Sequence, residues 1–251
     1  MAAALALAFV GGLIFGSFLT VVAHRVPRGE SVVGGRSHCP HCGAQVAAYD
    51  NLPVFSWLLL RGRSRCCGER ISARYPLTEL TLGALWVATV AVLCDDPTEI
   101  ALGLVFVATL LAVTLTDLER RVIPNKILAV SALFGVTIAA AGDPSSLPER
   151  AIAAVVAGGI LFLVVFAYPK GMGLGDVKLT ALMGLYLGRN VAPAVLVALL
   201  VGSAVGLTMI ARHGAAARKQ AIPFGPFLAF GGVIGLLLGD QLVDLYLSTF
   251  S

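Results

Sequence analysis

The chain has 251 residues, of which 58% are hydrophobic and only 13% are charged. Soluble domains average about 25% charged residues, so most of this chain is predicted to be surrounded by lipid rather than by water. The net charge of +4 raises the question of a nucleic-acid partner. No basic segment is long enough to form a phosphate-binding arm, so we expect a membrane protein with no nucleic-acid partner.

Apolar runs long enough for helical spans recur along the chain. In order they cover residues 2–23, 76–94, 99–116, 126–142, 150–168, 177–188, 192–211 and 225–247. The sixth run is short and rich in glycine, which leaves open whether it is tilted, re-entrant or buried within the bundle. The sequence therefore predicts an all-α polytopic transmembrane bundle of about eight spans, with both termini on the same side of the membrane.

Basic residues indicate the orientation of the predicted spans. Sixteen of the eighteen Lys and Arg residues lie in four of the predicted loops, and the exceptions are Arg150 and Arg189. These loops are 24–75, 117–126, 169–178 and 212–224. Because basic residues collect in cytoplasmic loops, both termini are predicted to lie outside. No basic residue precedes the first apolar run, which is typical of a span rather than of a signal peptide.

Residues 24–75 form the only sizeable soluble segment, between a first span at 1–23 and the remaining bundle at 76–251. A segment of this length is too short to fold on a conventional core and needs a stabilising cross-link. It contains four of the five cysteines, Cys39, Cys42, Cys66 and Cys67. A reducing cytoplasm disfavours disulfides, so metal binding is the preferred interpretation.

The cysteine spacing resembles a zinc ribbon, in which two CxxC knuckles supply four thiolates. Cys39 and Cys42 form an intact first knuckle, but in the second knuckle Ser64 stands where the partner of Cys67 is expected. We expect Cys39, Cys42 and Cys67 to be ligands and prefer Cys66 as the fourth, with His41 as the alternative. A degraded site with free cysteines is the remaining interpretation.

Two aspartates lie at the predicted inner rim of the membrane. Asp117 ends one apolar run and Asp176 begins another. An acidic side chain at membrane depth is costly and is often functional. Two carboxylates that converge on one water would divide into an ionised base and a protonated acid, because like charges close together resist joint ionisation. On position alone, Asp176 also fits a helix N-cap and Asp117 a membrane-boundary residue.

Asp176 lies in the glycine-rich stretch GMGLGDVK at residues 171–178. Glycine lets backbones approach closely, so Gly173 and Gly175 could admit a peptide strand beside the carboxylate. The stretch gives little support for a phosphate-binding loop, because its glycines lack the spacing of either nucleotide-binding motif. We predict that Gly173, Gly175 and Lys178 shape a substrate site.

Further motifs in the chain resemble those of the type IV prepilin peptidases, a family of GxGD aspartic peptidases. The similar segments, in family order, are GSFLTVV at 16–22, HRVPR at 24–28, NLPVFSW at 51–57, RYPLTEL at 74–80, Asp117 with Ile123 and Pro124, GLGDVK at 173–178 and IPFGPFL at 222–228. GxGD alone is a weak signal, but the ordered set covers nearly the whole chain and is specific.

The resemblance implies a multi-pass protein of the bacterial inner membrane with a zinc-bearing cytoplasmic insert. It implies Asp117 and Asp176 as the catalytic pair, facing the cytoplasm. The implied substrates are type IV prepilin or pseudopilin precursors, cut after a glycine at the end of the leader. Family members with the zinc insert often also methylate the new N-terminus from S-adenosylmethionine, and the sequence leaves that second activity open.

Two other classes of function compete with the peptidase. In a zinc-bearing transporter, Asp117 and Asp176 would be ion ligands or a proton relay, as intramembrane acids can be. Such residues tend to lie in the middle of a helix, whereas both aspartates lie at the predicted rim. A methyltransferase with an inactive peptidase is the third hypothesis, and the presence of both aspartates argues against it.

Overall fold

The computed structural model describes residues 1–32, 34, 38, 39, 41–169, 172–214 and 222–249. Within these residues the chain forms α-helices and no β-strand. The helices are α1 Ala2–Arg25, α2 Phe55–Leu59, α3 Arg74–Val92, α4 Pro97–Arg120, α5 Asn125–Gly142, α6 Leu147–Ala167, α7 Leu174–Leu187, α8 Val191–His213 and α9 Gly225–Ser248. Outside the described residues lie Arg36, Lys170, Arg218 and Lys219, which entered the prediction of orientation, and Gly171 of the glycine-rich stretch.

In the described part of the chain, seven helical segments are long and apolar enough to cross a membrane. The all-helical membrane bundle is therefore confirmed. One of these segments, Leu174–Arg212, has 39 residues and contains both α7 and α8. As one straight helix it would extend about 58 Å, well beyond a hydrocarbon core of about 30 Å. The two helices are separate because Gly188 adopts a φ of +53° between them.

The sixth predicted run corresponds to α7, which begins three residues earlier than predicted, at Leu174. Its 14 residues rise only about 21 Å, less than the thickness of the hydrocarbon core. Close helix contact explains its burial: a Cβ added at Gly184 would lie 2.6 Å from the backbone of Ala153 in α6. Of the alternatives considered for this run, the structure shows burial within the bundle.

The chain divides into two compact units, Met1–Ala91 and Val92–Ser251. In the first unit α1 and α3 run antiparallel and touch through small residues. A Cβ at Gly12 would lie 2.6 Å from Gly83 Cα, and one at Gly16 would lie 2.7 Å from Glu79 Cα. Glycine at such a crossing lets the two backbones approach closely, as is common between membrane helices.

The second unit is a helical bundle in which α7 packs against α4, α5, α6 and α9. Phe106 of α4 stacks on Tyr186 of α7, with ring centroids 5.0 Å apart. The Tyr186 hydroxyl donates to the carbonyl of Ser131 in α5 at 2.7 Å. This buried hydrogen bond satisfies a polar group in the core. Together with the ring stacking, it connects α7 to α5 and α4.

Arg150, at the start of α6, lies at the opposite end of the second helical bundle from Asp117. It forms an ion pair with Glu99 of α4 and donates to the Tyr186 carbonyl of α7 at 2.5 Å. Glu99 and Asp117 lie near opposite ends of α4, about 27 Å apart along its axis. The first turn of α7, which holds Asp176, therefore lies at the same end of the unit as Asp117.

Candidate active site and metal centre

Asp117 lies in the last turn of α4 and is only 6% exposed. Its Oδ2 accepts a hydrogen bond of 2.8 Å from the backbone N–H of Gly225, the first residue of α9. Free N–H groups at a helix start favour an anion, so α9 presents its positive end to this carboxylate. Asp117 is buried and held, rather than an exposed residue of the membrane boundary.

Asp176 is the third residue of α7 and is 8% exposed. Its Oδ2 accepts from the Gly173 N–H at 3.0 Å, while its own N–H donates to the Gly173 carbonyl at 3.1 Å. Gly173 is therefore the N-cap, and Asp176 bonds back to it from inside the helix. This arrangement fixes the direction of the carboxylate relative to the preceding chain.

The two aspartates come from helices that are not consecutive, yet Asp117 acts electrostatically on Asp176. The connecting segment after α4 also reaches α7, because a Cβ added at Gly175 would lie 3.1 Å from Ile123 Cβ. The structure thus brings together two buried carboxylates, each held by a glycine N–H. Such a pair can bind and polarise a water molecule, with one group ionised and the other protonated.

Lys178 lies on the exposed rim of this site. Its ammonium donates to the Asn125 Oδ1 at 2.9 Å and so connects the first turn of α7 to the first residue of α5. Lys178 forms no hydrogen bond or ion pair with either aspartate among the described contacts. Of the predicted site-shaping residues, Gly173 contacts Asp176, Gly175 packs on Ile123, and Lys178 belongs to the rim.

The sulfur atoms of the four predicted cysteine ligands all lie within 4.8 Å of one another. Cys39 Sγ is 3.6 Å from Cys67 Sγ, and Cys42 Sγ is 3.3 Å from Cys66 Sγ. A tetrahedral ion with bonds to sulfur of about 2.3 Å has sulfur–sulfur edges of about 3.8 Å, close to these distances. The cluster can therefore hold a metal ion. No histidine belongs to it among the residues described, so His41 lies outside the group.

The two knuckles share one backbone geometry. The Cys39 N–H donates to the Ala44 carbonyl and the Cys39 carbonyl accepts from Gly43, and Ser64 makes the same two bonds with Glu69 and Gly68. Gly43 and Gly68 both adopt a left-handed conformation, with φ of +70° and +72°. Ser64 thus occupies the position of a first knuckle cysteine, and Cys66 is the counterpart of His41.

Local hydrogen bonds shift the pKa values of the Cys39 and Cys66 thiols. The backbone N–H groups of Cys42 and His41 point at the Cys39 sulfur and lower the pKa of its thiol to about 6. The hydrogen bond with Cys42 is the largest of the effects that raise the pKa of the Cys66 thiol to about 12. Cys39 therefore favours the thiolate, the form that binds metal.

Two contacts were not foreseen from the sequence, one at Asp117 and one in the first unit, outside both sites. Gly225 belongs to a motif at 222–228, but nothing local indicates that it contacts Asp117. Glu79 is a buried carboxylate in α3 that accepts the N–H of Val54 at 2.7 Å. The position of Glu79 within an apolar run could have predicted this contact, because an acidic residue in such a run needs a hydrogen-bonding partner.

Comparison with known proteins identifies the family to which the chain belongs. Residues 10–93 match the Bacterial Peptidase A24 N-terminal domain, and residues 104–210 match the Type IV leader peptidase family. A protein of Aeromonas hydrophila named prepilin leader peptidase/N-methyltransferase is 35% identical over 97% of this chain and 94% of its own length. A protein of the same name from Bacillus subtilis (strain 168) is 33% identical over 97% of this chain and 98% of its own.

A third relative with that name, from Stutzerimonas stutzeri, is 34% identical over 96% of this chain and 92% of its own length. No solved structure matches the chain. The chain belongs to the type IV leader peptidase family, and with its membrane-spanning helices it fits a protein of the bacterial inner membrane.

Proposed function

We propose that the chain is a prepilin peptidase that removes the leader from type IV prepilin or pseudopilin precursors at the cytoplasmic face of the inner membrane. Membership of the leader peptidase family and relatives of that name over nearly the full length support this activity. The observation that carries the proposal is the pair of buried carboxylates, Asp117 and Asp176, at one end of the second unit.

In the proposed reaction one aspartate is ionised and takes a proton from the attacking water. The other is protonated and donates its proton as the peptide bond breaks. The N–H groups of Gly225 and Gly173 hold the two carboxylates in place, so little reorganisation is needed when charge moves. Burial excludes bulk water and strengthens these interactions.

The scissile strand is proposed to enter beside the start of α7. Gly173 has no side chain, and its Cβ position meets nothing closer than 3.5 Å, the Asp176 carboxylate. An extended peptide can therefore approach the carboxylate closely at this point. Lys178, held by Asn125, presents a cation at the rim where a carboxylate or carbonyl of the substrate can bind.

The metal ion of the cysteine cluster is proposed to be zinc, held by Cys39, Cys42, Cys66 and Cys67. Four sulfur donors at near-tetrahedral spacing fit this ion. Zinc there would be structural and would stabilise an insert that lacks a large apolar core. The relatives' names include N-methyltransferase, so we also propose methylation of the new N-terminus with S-adenosylmethionine as donor.

The proposed topology has both termini outside and the aspartate pair facing the cytoplasm, with lipid as the surrounding partner and no nucleic acid. The distribution of Lys and Arg in the sequence supports it. Asp117 and Asp176 lie in or beside the predicted inner loops 117–126 and 169–178, whereas Glu99 and Arg150 lie at the other end of the unit.

One experiment tests both activities. The detergent-solubilised protein is incubated with a prepilin-like peptide, with and without S-adenosylmethionine, and the products are identified by mass spectrometry. We expect cleavage after the leader glycine in both reactions, and a mass increase of one methyl group on the mature fragment only with the donor. An uncleaved peptide would overturn the peptidase, and cleavage without methylation would overturn the second activity alone.

A further inference from the structure

The short helix α2 of the first unit lies level with the end of a membrane span. The N–H of Val54, the residue before α2, donates to the buried carboxylate of Glu79 at 2.7 Å. Glu79 lies five residues after Arg74, the first residue of the span α3, which is about 7 Å along the helix axis. This contact places the start of α2 beside the first turns of α3, a helix long and apolar enough to cross a membrane. The membrane surface at that end of the span would therefore lie level with α2.

One face of α2 is apolar and exposed. Phe55, Leu58 and Leu59 have the spacing that places side chains on one side of a helix, and they are 62%, 61% and 65% exposed. Three large apolar side chains on five residues are unusual at a surface in contact with water. Their depth and exposure are those of an interfacial helix that inserts its apolar face between lipids.

A basic cleft adjoins this helix. It has a volume of about 540 Å³ and is lined by Trp57 together with Arg61, Arg63 and Arg70. Arg63 and Arg70 face each other across an isolated antiparallel bridge at the base of the second knuckle. None of the three arginines forms an ion pair with a residue that the structure describes.

Nearby, Arg65 differs from these three arginines. Its guanidinium makes a bidentate contact with Asp50, with bonds of 2.8 and 3.0 Å, and lies over the Tyr49 ring. The charge of Arg65 is therefore used within the insert. Arg61, Arg63 and Arg70 are exposed cations gathered around one cleft, and a ligand with anionic oxygens would complement them.

We infer that this cleft, with the apolar face of α2, binds the headgroup of an anionic phospholipid. The arginines bind the phosphate, while Phe55, Leu58 and Leu59, on the side of α2 away from Trp57, insert among the acyl chains and hold the cleft at the membrane surface. A free phosphate would use the arginines but not the apolar face, whereas an acidic lipid uses both. The inference does not depend on the proposed peptidase chemistry, since it needs only the first unit and the membrane surface.

Tryptophan fluorescence tests this site in the full-length protein, because Trp57 lines the cleft and Trp86 is the other tryptophan. A Trp86→Phe background isolates the Trp57 signal. The protein is reconstituted in phosphatidylcholine vesicles that contain either brominated phosphatidylglycerol or brominated phosphatidylcholine as quencher. We expect brominated phosphatidylglycerol to quench Trp57 more strongly than brominated phosphatidylcholine. The association constant for phosphatidylglycerol should exceed that for phosphatidylcholine by about fivefold or more, which is the effect of one basic side chain at a charged interface.

The triple variant Arg61→Gln, Arg63→Gln, Arg70→Gln should lower this preference to about one, and the triple Lys variant should retain it. Arg212→Gln, which removes one charge outside the insert, should leave it unchanged. Metal content and peptide cleavage report on folding. If the triple Gln variant loses its metal, the single Arg63→Gln and Arg70→Gln variants replace it, each with a severalfold smaller preference.

Three results would overturn the inference. Equal quenching by the two lipids would show that no anionic headgroup is preferred. A preference that persists in the Gln variants would place the lipid elsewhere. A preference that is unchanged when Phe55, Leu58 and Leu59 are all replaced by Ser would show that the site binds phosphate without using the apolar face.

Discussion

The backbone N–H of Gly225 donates to the Asp117 carboxylate across 2.8 Å, although the two residues are 108 positions apart in the chain. A Cβ added to Gly225 would lie 2.7 Å from Asp117 Oδ2, too close for any side chain to fit without moving the carboxylate. The start of α9 therefore both holds Asp117 and requires glycine at this position.

Replacement of Gly225 by alanine should strongly reduce cleavage. A displacement of the catalytic group of about 1 Å can lower a rate roughly a hundredfold, and we expect a loss of that order in kcat. Gly206→Ala is the matched control, because a Cβ there meets nothing within 4 Å. Peptide cleavage by the two variants is compared at equal amounts of folded protein. Similar activity in both would contradict the close contact between α9 and Asp117.

Removal of a cluster cysteine should lower the metal content. We expect about one zinc per chain in the purified protein and a clear loss in Cys39→Ser and Cys66→Ser, because a hydroxyl is a poor zinc ligand. Cys94→Ser, outside the cluster, and His41→Ala should keep the metal. Elemental analysis of metal-replete protein provides the measurement. Retention by Cys66→Ser with loss by His41→Ala would instead assign the fourth ligand to His41.

The ion pair of Arg150 and Glu99 should matter for stability rather than for chemistry. Arg150→Ala removes a buried guanidinium and leaves the half-buried Glu99 carboxylate without its partner. Because water reaches Glu99, we expect a cost of about 2 kcal/mol, less than for a fully buried pair. We expect a lower melting temperature in detergent and an unchanged cleavage rate per folded molecule. Arg189→Ala removes an exposed pair with Asp240 and should have little effect. If Arg150→Ala kept the normal melting temperature but cleaved the peptide more slowly, the ion pair would have a role in the reaction, contrary to this prediction.

Lys178 and Asn125 should act together at the rim. Loss of their 2.9 Å hydrogen bond leaves the lysine less well oriented, and we expect Lys178→Ala to lower kcat/KM about fivefold, roughly 1 kcal/mol. Asn125→Ala should have a smaller effect and add little to Lys178→Ala. Lys126→Ala removes a neighbouring exposed charge and serves as the control. Fully additive effects of Lys178→Ala and Asn125→Ala would show that the two residues act separately.

The sequence predicts those parts of the fold and of the sites that depend on composition and local residue spacing. The spans follow from apolar runs, and the cysteine cluster follows from knuckle spacing, including Ser64 at a first cysteine position. The pairing of Asp117 with Gly225 depends on how α4 packs against α9, which no local pattern specifies. The contact between Glu79 and Val54 likewise depends on how the insert folds back on α3. Such long-range contacts arise from packing and are found only in the structure.

The most direct test of the account is cleavage of a prepilin-like peptide by Asp117→Asn and Asp176→Asn, read by mass spectrometry. An amide cannot exchange the proton that the proposed reaction needs, so each variant should lose about a thousandfold or more of the activity. Asp240→Asn, near Arg150 and remote from the pair, should cleave normally and shows that loss of one acid is tolerated elsewhere. Near-normal cleavage by either Asp117→Asn or Asp176→Asn would contradict the proposed catalytic pair.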